Sequence, residues 1–409
     1  MKNIRFIFSL LFFLSSVACV LFQPIPTNDL FADEGTPIPL TIEPSNAPAQ
    51  STNQQASDTG VTPPPFMLVA YYPYWNNTAY PVSKIPADSL SVINYAFALP
   101  TDTGECTPGS LEASETQFPA LLELKAQYPH LKTMLSVGGW GTAEAFSAAT
   151  ETDMKLDRFI SACVQLMKDN DFDGLDIDWE YPTAEQMTTY TTLLEKLRRG
   201  LDSQGQTDSR HYLLTIAAPA GSYSIAGMDI PKIMPLLDWI NLMTYDFYGS
   251  WSETTGFNAP LYTSPTDPTQ WSVDSAVQMY LSLGVSPEKL VLGVPFYGRG
   301  WQGVKDVNQG LFQPFNKQPE ANSGDSFTYI QLKQVYIDKL PRFWDDIAKA
   351  PWLFDASKGL MISYDDPQSL GFKAEYARQQ NLGGMMIWEI TSDDENGSLL
   401  AAIQVALQE

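Results

Sequence analysis

The sequence predicts an α/β protein, a (β/α)8 TIM barrel with a small α+β insertion domain after its seventh strand. From Phe66 onward, short apolar runs alternate with longer amphipathic stretches, the rhythm of successive βα units. Eight of the apolar runs have the length of a strand. One of them, Phe172–Glu180, sends Asp176, Asp178 and Glu180 to one face and Leu175, Ile177 and Trp179 to the other. Such a strand suits a barrel wall, with its apolar face under helices and its polar groups at the C-terminal mouth.

In chain order, Met1–Arg5 carries Lys2 and Arg5, and Phe6–Phe22 is an apolar run broken only by serines. Residues 1–22 are therefore expected to be an export signal peptide, with Ser16-Val17-Ala18 as a small-x-small cleavage site. The run falls somewhat short of the roughly 20 residues of a spanning helix, and an uncleaved membrane anchor is the alternative. Cys19, directly after Ala18, opens a lipoprotein reading, against which stands Ser16 where leucine is usual. The expected location is secreted or associated with the cell envelope. Residues 23–65 are rich in Pro, Ser, Thr, Asn and Gln, the composition of a disordered linker.

The barrel is expected over residues 66–301 and 360–409. Its strands fall at Phe66–Tyr72, Ser91–Phe97, Leu131–Val137, Phe172–Glu180, Tyr212–Ala217, Trp239–Tyr245, Leu290–Phe296 and Gly384–Trp388. Amphipathic helices are expected between them at Phe118–Tyr128, Lys155–Asp169, Ala184–Asp202, Asp274–Leu283, Gly371–Gln380 and Ser398–Leu407. Residues 302–359 intervene where one helix should follow strand seven. That stretch has a possible β-pair, a helix-like Tyr329–Lys339, and Phe343, Trp344, Trp352 and Phe354 for a core of its own.

Lys+Arg 24 against Asp+Glu 47 gives a formal charge of −23, which repels nucleic acid and anionic lipid but accepts a neutral polymer. Aromatic residues make up 12% of the chain, an excess that suits stacking on sugars. The two histidines, His130 and His211, precede strands and so belong to the face opposite a barrel's active site. A Ser-His-Asp triad, a His-bound metal and a cofactor are not expected, and carboxylates must carry the chemistry. Cys106 and Cys163 permit one disulfide, although Cys163 reads more simply as a buried core thiol. A monomer is expected.

Residues two apart on one strand face have Cα atoms about 6.5 Å apart. Asp178 is then close enough to hydrogen-bond Glu180 while Asp176 backs Asp178. Three such carboxylates cannot all ionise cheaply, so at least one keeps a proton near neutral pH and can act as a general acid. The spacing D-x-x-D-x-D-x-E from Asp173 to Glu180 resembles the active-site signature of family 18 glycoside hydrolases, the chitinases and their relatives. Ser136-Val137-Gly138-Gly139 resembles that family's S-x-G-G element, followed here by Trp140, and Met243-Thr244-Tyr245-Asp246 its M-x-Y-D element. Trp388, at the end of strand eight, resembles the family's platform beneath the scissile sugar. Gly298–Gly303 also spells G-x-G-x-x-G, but it leads into the insertion rather than opening a Rossmann helix and is set aside.

The resemblance implies hydrolysis of β-1,4 bonds in chitin or N-acetylglucosamine oligosaccharides, with retention and with the substrate's own acetamido group as nucleophile. It implies Glu180 as acid and then base, Asp178 supported by Asp176 as the orienting pair, and Tyr245 and Asp246 as acetamido positioners. Trp388, Met243, Arg299, Tyr71, Phe97, Gly139 and Trp140 are expected to bind substrate, and Asp173 to be structural. Trp75, Trp251 and Trp301 could join Trp140 in further subsites. Phe257 stands where many relatives have histidine. A catalytically weak chitin-binding lectin and an endo-N-acetylglucosaminidase acting on glycans or peptidoglycan remain the alternatives.

Overall fold

The computed structural model describes residues 66–222, 224–316 and 325–408. The expectations for residues 1–65, namely signal, anchor, lipidated Cys19 and linker, lie outside the described residues.

The strands are β1 (Met67–Pro73), β2 (Val92–Pro100), the short β3 (Cys106–Pro108), β4 (Lys132–Gly138), β5 (Gly174–Asp178), β6 (Leu213–Pro219), β7 (Trp239–Met243), β8 (Leu290–Pro295), β9 (Tyr297–Gln302), β10 (Ser326–Thr328), β11 (Arg342–Asp345), β12 (Ala350–Asp355), β13 (Leu360–Ser363) and β14 (Gly384–Trp388). Eight of them pair in parallel in the order β1-β14-β8-β7-β6-β5-β4-β2, and β2 returns to β1 to close the barrel. The helices are α1 (Leu111–Gln127), α2 (Ala143–Ala149), α3 (Asp153–Asp169), α4 (Met187–Asp208), α5 (Ile230–Ile233), α6 (Val273–Ser282), α7 (Tyr329–Val335), α8 (Pro367–Gln379) and α9 (Ser398–Gln408). All eight expected barrel strands are present within a few residues of their expected limits.

Strand alternation divides the apolar residues into two cores. Leu175, Ile177 and Trp179 face outward under the helices, where Trp179 stacks on Phe146 of α2 with centroids 4.9 Å apart and meets the edge of Tyr190 of α4. Val69, Met134, Ala217, Trp239, Val291 and Met386 fill the barrel interior. The polar side chains of β5, β6 and β7 therefore enter a closed apolar space, where each needs a partner.

A second sheet, entirely antiparallel, runs β10-β9-β13-β12-β11. Its strands β9 and β13 lie at the two edges of the 302–359 stretch, which leaves β8 and returns to α8 through neighbouring strands. Trp301 on β9 belongs to this core: it is fully buried and its indole donates to Gly249 O at 3.1 Å. It is thus unavailable as a sugar subsite.

The cysteine reading also needs correcting, because Cys106 and Cys163 form a disulfide. β3 folds back antiparallel on the end of β2 and sets Cys106 against the buried face of α3, with Cα atoms 5.1 Å apart. α1 begins at Leu111, earlier than expected, because Ser110 caps it by accepting from Ala113 N.

Where β13 returns to the barrel, Lys373 of α8 is fully buried and bonds both oxygens of Asp365, at 2.7 and 2.6 Å. Ser369 Oγ donates to the same carboxylate at 2.6 Å. Burial pushes Asp365 up and Lys373 down, while their mutual attraction opposes both shifts. Lys373→Met should leave Asp365 as an uncompensated buried charge and lower unfolding stability by about 3–5 kcal/mol in urea titrations. Adding Asp365→Leu should restore most of the loss.

Candidate active site

β5 delivers two of the three predicted carboxylates. Asp176 is fully buried and accepts four hydrogen bonds: Tyr71 Oη and Ser136 Oγ at 2.7 Å each, Thr215 Oγ1 at 2.6 Å and Asn241 Nδ2 at 3.0 Å. Burial pushes its carboxyl above the usual range and the four donors oppose that rise. Asp178, one inward step nearer the mouth, makes no side-chain hydrogen bond among the described residues, and its Oδ1 is buried without a partner. The expected bond from Asp178 to Glu180 is therefore not formed. Burial, then the nearby Glu180 and Asp176, drive Asp178 well above the ordinary carboxylate range.

Glu180 lies two residues beyond the observed end of β5, since the ladder stops at Asp178, whose carbonyl accepts from Gly139 N at 2.9 Å. It is half-buried at the rim. Burial raises its pKa to about 7, the neighbouring Tyr181 hydroxyl favours the anion, and the charge of Asp246 adds to the rise. The strand thus carries three carboxyl groups in different settings: Asp176 held by four donors at depth, Asp178 raised by burial and two acidic neighbours with no donor to oppose the rise, and Glu180 raised to about 7 at the rim.

The wall beside these acids is aromatic. Trp388, half-buried at the end of β14, stacks on Phe97 with centroids 5.8 Å apart and planes 24° apart, and meets Tyr71 at 5.3 Å. Tyr71 is only 1% exposed, and its hydroxyl is committed to Asp176, so it supports the acids rather than lining open space. Gly138 and Gly139 have φ of +122° and +93°. A Cβ on Gly138 would meet Asp178 O at 2.2 Å, and one on Gly139 would meet the Phe97 ring at 2.6 Å, so glycine is required for both close approaches. Trp140, just beyond them, is 82% exposed. The peptide bonds Ala96–Phe97, Glu180–Tyr181 and Trp388–Glu389 are cis.

At the end of β7 and just beyond it, Met243 and Tyr245 face the same interior cluster as Trp388. Burial holds the Tyr245 phenol well above its ordinary pKa, so it stays a hydroxyl donor. Asp246 is bracketed by Arg299, whose Nε and Nη2 reach its two oxygens at 2.8 and 2.7 Å, and Tyr297 Oη donates to it at 2.7 Å. Arg299 Nη1 also bonds Asp325 at 2.9 Å, and the guanidinium lies 5.0 Å from the exposed Trp251 ring. Three of its groups are thus committed to carboxylates. Arg299 fixes Asp246 before it offers anything to a ligand. Phe257 is fully buried against Trp352 and Phe312, away from this surface.

Sequence reasoning did not assign Thr215, Asn241, Tyr181, Tyr297 or Asp325. Inward alternation on β6 and β7 could have found the first two. Asp325 joins the site only through the second sheet. At the other end of the barrel, Lys125, Lys132, Arg210 and His211 surround Asp171 and Asp173 in a pocket of about 560 Å³. Its charges are internally paired: Lys125 lies 3.0 Å from Asp173, Arg210 also bonds it, and Thr133 N donates to it at 2.9 Å. The pocket contains none of the inward-facing acids and reads as a structural ion network.

The family model for glycosyl hydrolases family 18 matches residues 67–393. The chain is 34% identical to Chitinase A1 of Niallia circulans over 80% of its own length and 56% of that protein's. It is 33% identical to Chitinase B of Serratia marcescens over 87% of its own length and 81% of that protein's. Among solved structures it superposes on chitinase ChiA74 from Bacillus thuringiensis with a TM-score of 0.79 at 31% identity, covering 84% of this chain and 70% of that one. The chain spans little more than half the length of Chitinase A1. Its barrel, with the acidic strand at the mouth and the family match running from β1 to beyond β14, belongs to a member of glycosyl hydrolases family 18.

Proposed function

We propose that this protein is a chitinase that hydrolyses β-1,4 bonds between N-acetylglucosamine units with retention, using the substrate's acetamido oxygen as nucleophile. The observation that carries this reading is Glu180, held near a pKa of about 7 beside Asp178 and across from the Trp388 wall. A group with that pKa is protonated in much of the population at neutral pH and can give its proton to a glycosidic oxygen. Trp388 carries the sugar ring by stacking on its C–H face.

As the leaving group departs, the acetamido oxygen attacks the anomeric carbon and an oxazolinium ion forms. Asp178, as a carboxylate, accepts a hydrogen bond from the acetamido N–H and stabilises the positive charge that develops there, a charge that opposes the burial-driven rise of its own pKa. The Tyr245 hydroxyl donates to the acetamido oxygen and aligns it for attack. Glu180, now an anion, takes a proton from water, which opens the ring on the same face. No second protein carboxylate acts as nucleophile, in keeping with the substrate-assisted exception among glycosidases. Asp246, clasped by Arg299, adds its charge to the burial that raises Glu180. The products are shorter N-acetylglucosamine oligosaccharides. Export or envelope attachment through residues 1–22 is part of the same proposal, since the polymer lies outside the cell.

Glu180→Gln should keep oligosaccharide binding and lose hydrolysis by a factor on the order of 10²–10⁴. In the unmodified protein, kcat/KM should fall as pH rises through about 7, where Glu180 loses its proton. The same shift fixes a stability difference. A carboxyl raised from 4.5 to about 7 contributes stability that is fully present below 4.5 and lost as pH rises through 7. Glu180→Gln should therefore gain stability relative to the unmodified protein across that window, by on the order of 3 kcal/mol at most. Calorimetry at pH 4 and pH 8 measures it. A protein that binds the oligosaccharides without cutting them would establish the lectin alternative.

An oligosaccharide carrying a free amine in place of N-acetyl at the attacked sugar should be cut at least about 10³-fold more slowly, because the intramolecular nucleophile is gone while Glu180 remains. Equal rates on the two bonds would assign the nucleophile to a protein carboxylate.

A further inference from the structure

Glu389 follows Trp388 directly, is 7% exposed, and takes no part in the chemistry above. Its carboxylate accepts from Thr391 N at 2.7 Å and from the Ser392 hydroxyl, and Asn76 Nδ2 approaches it at 3.5 Å. The shorter bond of the Asn76 amide goes to Thr391 Oγ1, at 2.6 Å. Asn76 ends the single 3-10 turn Tyr74–Asn76, whose middle residue, Trp75, is 52% exposed. None of the three residues is fully buried. Tyr74 packs against the core, and polar links hold the turn on two sides: Asn76 on the side of β14, and on the side of α1 Gln117 Nε2, which donates to Tyr74 O at 2.9 Å.

The ring of Trp75 continues the aromatic wall. Phe97 stacks on Trp388, and Trp75 lies 6.3 Å from Phe97 with planes 35° apart. Phe97 itself is 7% exposed, so the two faces open to a ligand along this row belong to Trp388 and Trp75. Trp75 is joined to Trp388 through Phe97, one ring beyond it along the row.

We propose that Asn76 is a positioning residue for substrate length. Its amide ties the Trp75 turn to the Glu389–Ser392 turn after the platform, so that Trp388 and Trp75 act as one rigid surface for successive sugars. This rests on the oligosaccharide reading of the site. An untied turn must be ordered each time a long chain binds, and that entropy loss falls only on substrates long enough to reach Trp75.

Asn76→Ala should raise KM for the N-acetylglucosamine hexasaccharide about tenfold, the equivalent of about 1.4 kcal/mol and of the order expected for one or two part-buried hydrogen bonds. It should leave kcat for the hexasaccharide, and both constants for an aryl glycoside of the disaccharide, unchanged. Thr391→Val, which removes the same bond from the other side, should reproduce the effect. Asn76→Asp, which sets a second carboxylate against Glu389, should be no better than alanine. In a Trp75→Ala background, Asn76→Ala should add nothing, an outcome that a general loss of folding would not give. Equal losses on short and long substrates, or the same tenfold loss in the Trp75→Ala background, would overturn the proposal. Hexasaccharide binding followed by tryptophan fluorescence separates the two readings. A protein that binds without cutting fails as a hydrolase, yet its dissociation constants still decide on Asn76; one that does neither overturns both.

Discussion

The site depends on an electrostatic crowding that the barrel creates and cannot relieve by solvation. Asp176, Asp178 and Glu180 project from one strand and its end into an interior lined by apolar side chains. Three charges there would repel strongly in a medium of low polarisability. The protein answers by giving four donors to Asp176 and none to Asp178. Negative charge is best accommodated on Asp176, where the donors oppose the rise that burial causes, while Asp178 and Glu180 are both pushed toward the protonated form, Glu180 to about 7 at the rim. Every donor to Asp176 comes from a different barrel strand, β1, β4, β6 or β7, so closure of the sheet is what assembles this arrangement.

The second sheet acts on the same electrostatics from outside the barrel. Arg299 on β9 neutralises Asp246 with two bonds and is itself held by Asp325, whose other oxygen accepts from Ser250 N at 2.7 Å. Asp246 is one of the charges that Glu180 feels. Asp325, within the 302–359 stretch, thereby holds the guanidinium that clasps Asp246. Trp251 stands over that guanidinium and is 60% exposed.

The opposite wall is built by packing rather than charge. Trp388, Phe97 and Tyr71 sit against one another, and the positive φ of Gly139 lets the β4 turn come close enough to trap Phe97. Tyr71 joins the two halves of the site, with its ring under Trp388 and its hydroxyl on Asp176.

The order of βα units, the eight barrel strands and the acidic strand end were legible in the chain, because alternation and apolar run length are local properties. So was the grouping of Glu180, Asp178, Trp388 and Tyr245 at one end, since each stands at the C-terminal end of a strand of the same parallel sheet or two residues beyond it. What no local pattern could supply was pairing across strands. The four donors to Asp176, the clasp of Arg299 on Asp246 and the Cys106–Cys163 disulfide join residues far apart in sequence. The same holds for the fates of the tryptophans. Trp301 and Trp251 looked alike as candidate subsites, yet one is a fully buried member of the second core and the other stands 60% exposed. Burial depends on what packs above a residue, and only the closed barrel and the second sheet decide that.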